Sequence, residues 1–92
     1  MYPSDDILIA RGKYSTLAGE RKEQIKRAQG ICTTMVTAAH QILTDCQAKP
    51  PTNMAAYESM AKCLENAISA RDRLAVLCTE MAELEPKAWG TE

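Results

Sequence analysis

Two consecutive prolines, Pro50 and Pro51, interrupt the middle of this chain of 92 residues. Proline lacks the backbone N–H and clashes with the preceding helical turn, so a helix does not continue through such a pair. On both sides of the prolines apolar residues recur at helical spacing, and no long stretch alternates with the two-residue period of a strand. We therefore predict an all-α antiparallel helical hairpin with its turn at residues 48–53.

Capping and helix-breaking residues set the expected helix ends. Ser4, followed by acidic residues, is suited to cap the first helix, and Thr52 or Asn53 to cap the second. Gly19 costs about 1 kcal/mol against alanine in a helix interior and predicts a break, while Pro86 predicts the end of the second helix. The expected segments are a short helix or first segment at about 4–18, helices at 20–47 and 54–85 and a loose tail at 86–92, all in a single domain spanning 1–92.

A seven-residue repeat of apolar residues predicts a coiled-coil-like seam. In the first helix one set of this repeat is Ile7, Tyr14, Ala28, Met35 and Ile42, with Arg21 as its polar member. The positions expected to complete the seam are Ala18, Ile25, Cys32, Ala39 and Cys46. In the second helix the predicted stripe follows Tyr57, Leu64 and Cys78, with Met60, Ala61, Ala67, Ile68, Leu74, Ala75, Met81 and Ala82 beside them.

The apolar core of a two-helix hairpin of this length is small, since many of its positions are alanine. Its net free energy of folding is near zero once the ordering entropy is subtracted. We therefore predict association with a second copy or with another helical protein, in an oligomeric bundle; the alternative is a monomer whose short first helix folds back as a third layer. The residues expected to carry the association are Ile25, Cys32, Met35, Ile42, Leu64, Ile68 and Leu74.

Composition and motifs favour a binding protein over an enzyme, with no cofactor. The chain has 11 basic and 12 acidic residues and a net charge of −1, which argues against an electrostatic grip on nucleic acid. The single histidine, His40, lies beside an apolar stripe, and the sequence contains no phosphate-binding loop or nucleophile motif. The sequence contains no run of 18 apolar residues, so no membrane span is predicted. The first 20 residues do not resemble a secretory signal. These features predict a cytoplasmic protein.

Four cysteines, Cys32, Cys46, Cys63 and Cys78, are too widely spaced for the close pairs of a zinc site. In a reducing cytosol they are small apolar core residues with free thiols. The alternative is a stapled hairpin with Cys32–Cys78 and Cys46–Cys63 disulfides, because both pairs fit one antiparallel register. That layout resembles the twin-cysteine hairpins of the mitochondrial intermembrane space, although the spacing within each helix is longer here.

The only basic cluster consists of Arg21-Lys22 and Lys26-Arg27. It is either a solvated helix face or a set of contacts for an anion, a nucleotide or an acidic partner. Arg21 and Arg71 interrupt otherwise apolar stripes, so each either reaches the rim of the stripe or faces a ligand.

The segment Ala28-Gln29-Gly30-Ile31, the proline turn and Leu64-Glu65 resemble the small hairpin chaperones of type III secretion needles, over roughly residues 27–75. This resemblance implies a non-enzymatic cytosolic chaperone that masks an aggregation-prone helical partner.

A second resemblance covers residues 23–70. Glu23-Gln24-Ile25-Lys26-Arg27-Ala28, Ile42-Leu43 and Leu64-Glu65 look like parts of phage anti-defence hairpins that sequester cyclic nucleotide signals. It implies an oligomer that binds a cyclic nucleotide or blocks a host defence protein. The expected anion or nucleotide contacts are Tyr14, Lys26, Arg27 and Arg71.

Overall fold

The computed structural model describes residues 4–90, which form two helices joined by a short turn. Helix α1 spans Asp5–Gln47 and helix α2 spans Met54–Trp89. No strand occurs within residues 4–90. The predicted all-α antiparallel hairpin and its turn at 48–53 are therefore confirmed.

Two compact units divide the chain. Among the described residues, unit 1 combines 4–25 with 72–90, so the first half of α1 packs on the last half of α2. Unit 2 is Lys26–Arg71 and contains the end of α1, the turn and the start of α2.

The predicted break near Gly19 is wrong, because α1 is one helix from Asp5 to Gln47. Ser4 begins it as predicted: its Oγ accepts a hydrogen bond from the Ile7 amide at 3.3 Å. Gly12 and Gly19 lie on the exposed surface, where an added Cβ would meet no atom within 4 Å. Their cost is one of helix propensity alone. The half-buried residues between and beyond them, which pack on α2, offset it.

The predicted end of α2 at residue 85 is also wrong, since Pro86 lies inside a helix that reaches Trp89. A proline near a helix terminus removes one backbone hydrogen bond, and three contacts in unit 1 hold the last turn in place. Ala88 is buried, its carbonyl accepts a hydrogen bond from Arg11 Nε at 2.8 Å, and the Trp89 ring meets the Tyr14 ring edge-on at 4.9 Å. The predicted loose tail is therefore helical to Trp89; residues 91 and 92 lie outside the described part.

The two helices bury a regular seven-residue repeat against each other, which we call the seam. Its α2 members alternate at spacings of four and three residues: Ala56, Met60, Cys63, Ala67, Ala70, Leu74, Leu77, Met81, Leu84 and Ala88, all buried or half-buried. Its α1 members include the predicted Tyr14, Ala28, Met35 and Ile42. The complementary α1 positions are Ala10, Leu17, Gln24, Ile31, Ala38 and Asp45. Each lies three residues after a member of the first set, whereas the predicted positions lie four residues after it, so that part of the predicted seam is wrong.

The turn of unit 2 is fixed by the buried carboxylate of Asp45. It accepts hydrogen bonds from the backbone amides of Thr52 at 2.8 Å and Asn53 at 2.7 Å and from the Tyr57 hydroxyl at 2.9 Å. The prediction that Thr52 or Asn53 caps α2 is wrong, because within residues 4–90 neither side chain makes such a hydrogen bond. Asp45 reaches across from α1 and satisfies these two amides instead.

Candidate helix-binding face

One side of unit 2 presents a second apolar repeat, next to the seam on both helices. On α1 its residues are Cys32, Val36, Ala39, Leu43 and Cys46, at spacings of four, three, four and three. On α2 they are Tyr57, Ala61, Leu64 and Ile68, at spacings of four, three and four. We call these nine residues the apolar face. A contact of 3.5 Å between Cys46 Sγ and Tyr57 Oη shows that both helices turn this repeat toward the same side.

The large aliphatic side chains of the apolar face are exposed. Val36 is 58% exposed, Leu43 56%, Leu64 47% and Ile68 57%. Single exposed apolar residues are ordinary in proteins. A row of them at heptad spacing on two adjacent helices is instead the pattern by which helices bury a further layer.

The opposite side of the hairpin is polar. In unit 2 it carries Arg27, Thr34, Ser59 and Asn66 at the matching heptad positions. In unit 1 the guanidinium of Arg73 makes a two-pronged ion pair with Glu20: Nη2 donates to Oε1 at 2.8 Å and Nε donates to Oε2. The hydrogen bond from Arg73 lowers the pKa of Glu20. Unit 2 therefore has two chemically distinct long sides.

The hydrogen bonds around the turn also adjust the titration of two groups at the end of the face. The Asn53 amide, with the Tyr57 hydroxyl and the Thr52 amide, lowers the pKa of Asp45. Hydrogen bonds with the Cys46 thiol and the Asp45 carboxylate raise the pKa of Tyr57. The Tyr57 hydroxyl thus stays protonated and oriented toward α1.

The structure divides the seven residues expected to carry association. Met35, Ile42 and Leu74 lie half-buried in the seam, so they pack inside the chain. The exposed members are Cys32, Leu64 and Ile68, which belong to the apolar face. Ile25 is half-buried in unit 1, beside the seam residue Gln24.

All four cysteines are free thiols. The register places Cys46 beside Tyr57, six residues before Cys63, so the stapled pairing of Cys46 with Cys63 is not the one that the fold adopts. Cys63 is buried in the seam as a small apolar residue. Cys32 and Cys46 are exposed on the apolar face, and Cys78 is exposed in unit 1.

The four candidate anion or nucleotide contacts do not gather in one place. Tyr14 belongs to unit 1, where its ring packs on Trp89, and the other three belong to unit 2. Lys26, Arg27 and Arg71 are exposed. Arg27 lines a groove on the polar side, whereas Arg71 occupies a position of the apolar repeat of α2. Arg21 is exposed as well, as expected for a side chain that reaches the rim of its stripe.

No protein-family model, curated protein or solved structure matches this chain. Among residues 4–90 no group of three or more metal-ligating side chains is close enough to hold an ion. Neither helix of the described part has a stretch long and apolar enough to cross a bilayer. The resemblances to needle chaperones and to phage anti-defence hairpins therefore stay predictions.

Val36 and Leu43 are the residues of the apolar face that belong to none of the predicted stripes. The signal was present, since both continue the repeat of Cys32, Ala39 and Cys46 at helical spacing. Because α1 carries two adjacent apolar repeats, helical periodicity does not show which of them is buried between the helices and which is exposed.

Proposed function

We propose that this protein is a non-enzymatic helical binding protein that acts as a chaperone, adaptor or inhibitor in the cytoplasm. It binds through the apolar face of unit 2, and in the free protein a second copy of the chain occupies that face. A helical partner then binds the apolar face by displacing the second copy. The observation that carries the proposal is the exposed heptad repeat on both helices of unit 2.

The composition of the core supports a second copy as the occupant. Among residues 4–90, five of the seven buried apolar residues are alanine, and Leu77 is the only large one of these seven that is fully buried. Each alanine buries little apolar area, so the seam alone gives a small stabilisation. A four-helix bundle made from two hairpins adds the leucine, isoleucine and valine of the apolar face to the core.

Sedimentation velocity on the purified chain tests the self-association. Wild type is expected to be a dimer, and the double variant Val36→Asp/Leu64→Asp a folded monomer, because each aspartate would bury an unpaired charge in the interface. Leu8→Asp is the matched control: Leu8 is 52% exposed in unit 1, outside the face, and this variant stays dimeric. A wild-type monomer at micromolar concentration, or a double variant that dimerises like wild type, would overturn the second copy as occupant.

Binding of a helix is measured separately with a synthetic amphipathic peptide that carries leucine at heptad spacing. We expect the labelled peptide to bind wild type and the Leu8→Asp variant but not the double variant. Failure of peptide binding in a chain that dimerises would contradict the proposed helix-binding function alone, so the two results are distinguishable.

A further inference from the structure

On the polar side of unit 2, opposite the apolar face, a groove of about 430 Å³ lies between α1 and α2. Its volume falls within the range of small-molecule sites. Ile31 and Cys63 of the seam form its floor. Polar or small residues line its walls: Arg27, Gly30 and Thr34 from α1, and Ser59, Lys62 and Asn66 from α2.

The charge of this groove is one-sided, because two cations and no carboxylate line it. Arg27 and Lys62 each follow a glutamate, Glu23 and Glu58, by four residues. This order favours an ion pair on a helix. Within residues 4–90, however, neither cation forms an ion pair with any carboxylate. Both charges are therefore available to a ligand.

Neutral donors complete the set. Ser59 and Asn66 are half-buried, and in the described part of the chain neither side chain makes a hydrogen bond. The Thr34 hydroxyl donates its hydrogen to the Gly30 carbonyl at 3.2 Å, so Ser59 and Asn66 are the neutral donors that remain for a ligand. Cations together with a hydroxyl and an amide donor are the combination that holds oxyanions in proteins.

Gly30 keeps the groove open. It lies on the exposed surface of α1, and a Cβ added there would meet no atom within 4 Å. Glycine costs about 1 kcal/mol against alanine in a helix interior. Neither a left-handed backbone nor close packing requires it, since φ of Gly30 is not positive. A longer side chain here would project into the groove without disturbing the seam.

We propose that this groove binds a small phosphate monoester, with the phosphate between Arg27 and Lys62 and the apolar part of the ligand on Ile31 and Cys63. A phosphate monoester carries close to two negative charges at pH 7 and so matches two cations. The groove faces away from the apolar face, so occupation of the two surfaces is independent.

Titration with phenyl phosphate and with inorganic phosphate, followed by amide chemical shifts in NMR spectra at constant ionic strength, tests this site. We expect saturable shifts at Gly30, Ile31 and Asn66, with phenyl phosphate binding more tightly than inorganic phosphate because its ring contacts the floor. Arg27→Ala/Lys62→Ala is expected to weaken binding at least tenfold, and Gly30→Gln to abolish it while the helix content is unchanged.

Lys13→Ala/Lys49→Ala is the matched control, because it also removes two positive charges, at exposed positions outside the groove. It is expected to leave the affinity within twofold of wild type. Equal weakening by both double variants would show unspecific attraction to basic charge and would overturn the site, as would shifts spread over the whole surface. Unaltered binding in the folded Gly30→Gln variant would also overturn it.

Discussion

Asp45 combines structural and electrostatic roles in one side chain. It is a seam position, yet it is polar and 7% exposed. The buried carboxylate is satisfied by two amides of the turn and one phenol, which is the condition under which a buried charge is tolerated. Gln24, the other polar residue on the same set of seam positions, shows the opposite case, since its Oε1 is buried without a hydrogen-bond partner.

The lowered pKa of Asp45 predicts acid lability of the turn. A carboxyl whose pKa is lower in the folded state than in the unfolded chain stabilises the fold above its ordinary value, about 4. That stability is lost as the pH falls through the lowered pKa. The thermal midpoint of wild type should therefore decrease when the pH is lowered below about 4. The midpoint of Asp45→Asn should be lower than that of wild type at pH 7 and should change less when the solution is acidified. The pKa of Glu20 is also lowered, so Glu20→Gln should reduce the dependence of the midpoint on acid as well. Parallel midpoint curves for wild type and Asp45→Asn would contradict this role.

The helices show how far local sequence signals reach. The proline pair, Ser4 and the apolar repeat predict the hairpin, its turn and the start of α1. They do not predict the correct seam, because the true set of α1 positions contains Gln24 and Asp45, whereas the neighbouring set contains Ile25, Cys32 and Ala39. The more apolar set looked like the inside of the molecule, and part of it lies on the exposed apolar face. Hydrophobicity alone does not distinguish a seam within a chain from a surface that another helix covers.

Gly12 and Gly19 provide a direct test of the continuous α1. Because an added Cβ at either position meets open space, Gly12→Ala and Gly19→Ala should each raise the free energy of unfolding by about 1 kcal/mol, measured by urea denaturation. Gly90→Ala is the contrasting variant. The added Cβ would overlap the carbonyl oxygen of Pro86. Gly90→Ala should therefore lower the free energy of unfolding, unless the last turn of α2 opens and leaves it unchanged. Destabilisation by Gly19→Ala would restore the predicted break.

In unit 2, the division into a polar and an apolar side depends on the antiparallel register of the two helices. The register brings the apolar repeats of α1 and α2 to one side at the Cys46–Tyr57 contact. It places Arg27 and Lys62 around one groove on the other. Neither juxtaposition was predicted from the sequence, because each joins residues of two helices across the turn, and a residue shift between the helices would separate them. The exclusion of catalysis from composition stays a prediction, whereas the hairpin itself is confirmed.

The four thiols allow the arrangement to be tested in the unmodified chain. Cys63 is buried in the seam, Cys32 and Cys46 are on the apolar face, and Cys78 is exposed in unit 1. In a dimer that covers the apolar face, timed alkylation followed by mass spectrometry should modify Cys78 quickly and the other three slowly. In Val36→Asp/Leu64→Asp, Cys32 and Cys46 should react as fast as Cys78, while Cys63, which is 8% exposed, should still react more slowly than the other three. Rapid alkylation of Cys32 and Cys46 in wild type would show that the apolar face is open in the free protein. Cysteines that resist alkylation in urea without reductant would instead reveal the disulfides of a stapled hairpin.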